Sequence, residues 1–161
     1  MPCLPACHAW LQHRWDPCSP GDCPIRPKNL AEACERLLAG EPAEPVYAGF
    51  LDTFYAAPGP AERYACLADE PPLTGDPHLD ALAGAAAEYL AKLFRLPSVP
   101  PWTAGPRRTL DEPWFTAGVD SPAFREYLFF TSPAEFRSRN IFTEERPLRR
   151  ARSALALRGV G

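Results

Sequence analysis

From residue 29 the apolar positions recur every three or four residues, the period of an amphipathic helix. Leu30, Ala33 and Leu37, preceded by Asn29 as an N-cap and followed by Gly40, predict a first helix of about three turns. Val46, Tyr47, Phe50, Leu51, Phe54 and Tyr55 predict a second over 44–57, apolar enough to sit in the core. Pro58-Gly59-Pro60 ends it, and Tyr64 and Leu67 mark a short third helix before Pro71-Pro72. Asp76 as N-cap and Pro77 at the first helical position, where its missing N–H costs nothing, open the longest helix, over 77–95. Its apolar face holds Leu79, Leu82, Ala86, Leu90, Leu93 and Phe94, and Gly84-Ala85-Ala86-Ala87 offers a smooth patch for the close approach of another helix.

Beyond Pro97 the prolines at 100, 101, 106 and 113 exclude long regular elements. Trp102, Trp114 and Phe115, each able to bury roughly 150–250 Å², are expected to anchor this loop on the helices. Ser121-Pro122 opens a helix carrying Phe124, Leu128 and Phe129. Ser132-Pro133-Ala134-Glu135 reads as a capping box with proline first, and Thr143 as the cap of a final helix carrying Leu148, Ala151 and Leu155. Segments 126–131 and 139–143 would each also serve as a short strand. The expected fold is all-α: a single compact domain of about six short helices over 28–158 with a proline-rich, aromatic-anchored loop. The 21 prolines and 10 glycines agree with many short elements.

Residues 1–27 have no apolar period and six prolines, and read as an unstructured tail, or as sequence upstream of a later start. Cys3, Cys7, Cys18 and Cys23, with His8 and His13 between them, are the metal-ligand candidates. Their spacing is wider than the paired knuckles of structural zinc sites, so no metal and no cofactor is expected. Residues 1–27 lack the basic start and uninterrupted apolar stretch of a secretion signal, and no apolar run has the length a membrane span needs. The protein is therefore expected in the cytoplasm with reduced thiols, and Cys34 and Cys66 as small buried apolar residues.

The formal net charge is −3 and is unevenly placed. Residues 28–96 hold 5 basic and 11 acidic side chains, and residues 97–161 hold 10 and 7. All but Lys28 and Lys92 of the basic residues are arginine, a bias that fits GC-rich coding.

Catalytic machinery is not legible. There is no P-loop, dinucleotide fingerprint, His-Glu-x-x-His or Gly-x-Ser-x-Gly. His78, in a first helical turn, reads as a surface or capping residue. Asp111-Glu112 lie between Trp102 and Trp114 and near Arg107-Arg108, which suggests either buried ion pairing that fixes the loop or a site for a ligand or partner. Arg137 and Arg139, beside Asn140, are exposed or salt-bridged, or else phosphate contacts together with Arg149, Arg150 and Arg152.

Pro100-Pro101-Trp102, Leu110-Asp111-Glu112-Pro113-Trp114-Phe115 and the run Ser132 to Phe142 resemble a segment of small bacterial proteins from GC-rich genomes. Some of these carry it behind a repressor-like helix-turn-helix, and the pattern is similar to that of antitoxin-type genes beside a toxin, often of nucleotidyltransferase type. The resemblance covers about 75–150 and implies a non-enzymatic protein that binds a protein partner. It carries over no catalytic residue, and residues 28–75 show no recognition helix. A nucleic-acid-binding regulator is the alternative, and a small ligand-binding protein or enzyme built on Trp102, Asp111, Glu112 and Trp114 is the third reading.

Overall fold

Local capping sets where the helices begin and end. The computed structural model describes residues 26–116 and 121–149. Helix α1 (Leu30–Leu38) starts where the Asn29 side chain accepts the Glu32 N–H at 2.8 Å. It stops at Gly40, whose φ of +91° suits a residue without Cβ, as the N–H groups of Gly40 and Glu41 return to the carbonyls of Leu37 and Arg36. Helices α2 (Ala43–Ala56) and α3 (Pro60–Ala68) follow close to the expected bounds.

Helix α4 (Pro77–Leu93) opens at Asp76, whose carboxylate accepts the His78 N–H at 2.9 Å. Arg95 ends it in the left-handed region at φ +50°, with Leu96 N–H on the Ala91 carbonyl and Arg95 N–H on the Lys92 carbonyl. Two 3-10 turns (Pro101–Ala104 and Pro106–Arg108) lie next, then β1 (Trp114–Phe115), α5 (Pro122–Thr131), α6 (Ala134–Arg137) and β2 (Ile141–Phe142). The strands pair in parallel, Trp114 opposite Ile141 and Phe115 opposite Phe142.

Helix α4 is buried on two faces. Ala83, Ala87, Leu90 and Ala91 join a cluster with Leu30, Val46, Phe50, Phe54, Leu67 and Trp102 from α1–α3 and the first 3-10 turn. Ala81 and Ala85, about 200° around the helix from Ala83 and Ala87, meet Leu110, Phe136 and Ile141 in a second cluster. Each fully buried Leu or Phe contributes about 1.5–3 kcal/mol, so α4 is where both halves of the chain gain their apolar burial.

The molecule is mostly helical, and several sequence expectations need correction. The all-α expectation omits the parallel strand pair: 139–143 does supply a strand, but its partner Trp114–Phe115 lies inside the proline-rich loop, while 126–131 belongs to α5. The two 3-10 turns and the short helix α6 lie against α4, and at Gly84 the side chains of Arg108 and Arg139 make the close approach. The capping box does not form. The Ser132 hydroxyl accepts the N–H of Thr143 at 2.8 Å and reaches the Leu128 carbonyl, while the Glu135 carboxylate pairs with Lys92 at 3.1 Å. Thr143 is thereby buried in that contact, and 143–149 contains no helix. Cys3, Cys7, Cys18, Cys23, Arg150, Ala151, Arg152 and Leu155 lie outside the described residues.

Candidate functional site

Trp102, Arg108 and Arg139 are interior groups. Trp102 is 9% exposed, and its indole N–H donates to the Leu67 carbonyl at 2.9 Å. Arg108 is 1% exposed: its guanidinium lies 5.0 Å from the Trp102 ring centroid and donates to the carbonyls of Pro71 (2.5 Å) and Asp80 (3.5 Å). Arg139 donates to the carbonyls of Thr103 (2.9 Å) and Glu135 (2.7 Å) and pairs with Glu88 at 2.6 Å. These arginines act as polar cement between elements: Arg108 ties the Pro71 carbonyl of the loop before α4 to the first turn of that helix, and Arg139 joins the carbonyls of the first 3-10 turn and of α6.

Gly84 makes the arrangement possible. A Cβ there would stand 2.9 Å from Arg108 Cβ and 3.2 Å from Arg139 Nε, so the two side chains cross α4 over its bare backbone.

Asp111 and Glu112 do not form the buried ion pair expected of them. Both are exposed, and no ion pair among the described residues joins them to Arg107 or Arg108. The loop is instead held by its backbone and by Asn140: Leu110 N–H donates to the Arg139 carbonyl at 3.2 Å, and the Asn140 side chain, with φ at +60°, donates to the Leu110 carbonyl at 2.7 Å. Arg107 is exposed, as is Arg137, which reaches the Phe129 carbonyl at 3.5 Å. Trp114 is half-buried with its ring 4.8 Å from that of His78. The eight candidates therefore divide between interior and surface and share no pocket-like convergence of chemistry.

The ionisable groups of the interior are held in structural roles. Burial pushes the Glu88 carboxyl up, but hydrogen bonds from Lys92 and Arg139 outweigh it and hold the group below the usual carboxylate value. Burial pushes the Cys34 thiol up to about 11, which keeps it neutral, and also raises the Tyr47 hydroxyl beside it. Among the described residues no group of three or more His, Cys, Asp or Glu side chains could hold a metal ion, and no helix is long and apolar enough to cross a membrane.

The exposed feature that sequence reasoning missed is α5. Leu128 is its one buried residue, whereas Tyr127 and Phe129 are 50% and Phe130 is 69% exposed. Phe129 stacks on Phe142 (5.3 Å, 18°), which stacks on Phe115 (4.9 Å, 21°), and Phe130 stands edge-on to Phe129 at 5.5 Å. Phe124 and Tyr127 stack at 5.9 Å. The Ser132–Thr143 contact and this ring ladder fix the helix while leaving its outer half uncovered. The signal was in the sequence: apolar residues at 123, 124, 127, 128, 129 and 130 surround the helix axis, a pattern of helices covered on all sides.

Comparison with family models, with curated proteins and with solved structures found no match.

Proposed function

We propose that this chain is a protein-binding module without a reaction of its own, acting as the neutralising component of a toxin and antitoxin pair, with the outer half of α5 as its contact surface. The observation that carries the reading is the exposure of Tyr127, Phe129 and Phe130 on one short helix. Clustered aromatic residues are the usual energetic centre of a protein interface, because they bury large area with few rotamers to freeze. The antitoxin assignment is supported by the resemblance of 75–150, and by the acidic excess of 28–96, which steers a chain toward a basic nucleotide- or RNA-binding partner.

The test is co-expression with the product of the neighbouring gene, followed by affinity capture and size-exclusion chromatography at physiological salt, with and without nuclease. A stoichiometric, nuclease-resistant complex is expected. Nuclease-sensitive recovery would favour the regulator reading, and no complex would sink the proposal.

A further inference from the structure

The half of α5 turned away from Leu128 carries Pro122, Ala123, Glu126, Tyr127, Phe129 and Phe130, at about 100° per residue. Glu126 is its one carboxylate. It is exposed, and among the described residues it has no ion-pair partner. A second copy of the chain is a poor cover for this face. A two-fold axis through the middle of α5 would place Glu126 beside Glu126 of the other copy, a like-charge contact that destabilises the pair.

Resting on the protein-binding reading above, we infer that α5 is presented as a ligand helix to a protein partner that offers an apolar groove edged by a basic side chain, with Phe130 in the groove and Glu126 against the base. Three features fit this mode of recognition. First, Ala123, Tyr127 and Phe130 follow the four- and three-residue spacing by which a helix fills a groove. Second, the stack of Phe115, Phe142 and Phe129 holds the helix in place before binding, so little order remains to be imposed. Third, a carboxylate among aromatic rings selects a cation at one position and rejects an acidic rim.

The experiment uses the full chain and the neighbouring gene's product as the probe. Wild type, Phe130→Ala, Glu126→Gln, Glu126→Arg and the remote control Leu38→Ala, which trims an exposed apolar side chain of α1, are titrated by calorimetry, and each is checked for an unchanged melting temperature. Phe130→Ala and Glu126→Arg are expected to weaken binding about tenfold or more, Glu126→Gln less, and Leu38→Ala little. Sedimentation of the free chain should give a monomer. Binding indifferent to Phe130→Ala, or unchanged or tightened by Glu126→Arg, would overturn the groove and its basic edge while leaving protein binding intact. A free-chain dimer dispersed by Phe130→Ala would assign the face to a second copy. Failure of wild type to bind at all would overturn the protein-binding reading and this inference with it.

Discussion

Gly84 sets how closely the C-terminal half of the chain lies on α4. Alanine would gain about 1 kcal/mol of helix propensity, but its methyl group would stand 2.9 Å from Arg108 Cβ, a backbone-proximal atom that cannot swing aside. Crowding wins, and Gly84→Ala should lose about 1–3 kcal/mol of unfolding free energy in urea titrations. An unchanged midpoint would mean that Arg108 and Arg139 do not cross the helix there. Glu88 makes a second test at this scale. Its carboxyl is held below the unfolded value of 4.5 by Lys92 and Arg139 against the effect of burial. Its stabilising contribution is thus complete above pH 4.5 and is lost as pH falls through the lowered folded value. Glu88→Gln should be less stable than wild type near neutrality and should lose part of the acid-side decline, read as urea midpoints across pH 3–7. Parallel pH curves for the two proteins would contradict this.

Among the elements, α1 and α4 were legible because their boundaries rest on local chemistry. Asn29, Gly40, Asp76 and Pro77 act within a turn of the residues they cap. After Pro97 the helix opened by Ser121-Pro122 was legible too, but the rest was not, because its contacts are remote. Ser132 spends its hydroxyl on Thr143, eleven residues on, in place of a capping box, and the carbonyls that Arg108 and Arg139 satisfy lie 28–37 residues away apart from that of Glu135. A sequence reading places arginines at the surface by default, and nothing local to either residue signals that Gly84 leaves room for it. Arg95 supplies the prediction for this scale. It closes α4 in the left-handed region, at φ +50°, where a Cβ is unfavourable. Arg95→Gly should raise the stability by about 1 kcal/mol, measured by thermal and urea unfolding. A loss of stability would show that the Arg95 side chain contributes more than its backbone costs.

At the scale of the whole molecule, α4 joins two apolar clusters into one support, and α5 is held on its margin with an outer half that the described residues leave bare. Binding a partner there should need little rearrangement, since the ring ladder and the Ser132–Thr143 contact already hold the helix. The candidate surface was half legible. The aromatic density of 124–130 is plain in the sequence, yet Phe124 and Phe129 read as the inward stripe of an ordinary amphipathic helix, and only the fold shows Leu128 alone fully buried, with Phe124 half-buried and Phe129 half exposed. Amide hydrogen exchange of the chain, free and with the neighbouring gene's product, tests the central claim most directly. The account predicts that protection on binding concentrates in 122–131 and the adjoining strand residues 115 and 142. Protection confined to the acidic helices α1–α3, with α5 exchanging as in the free chain, would contradict it.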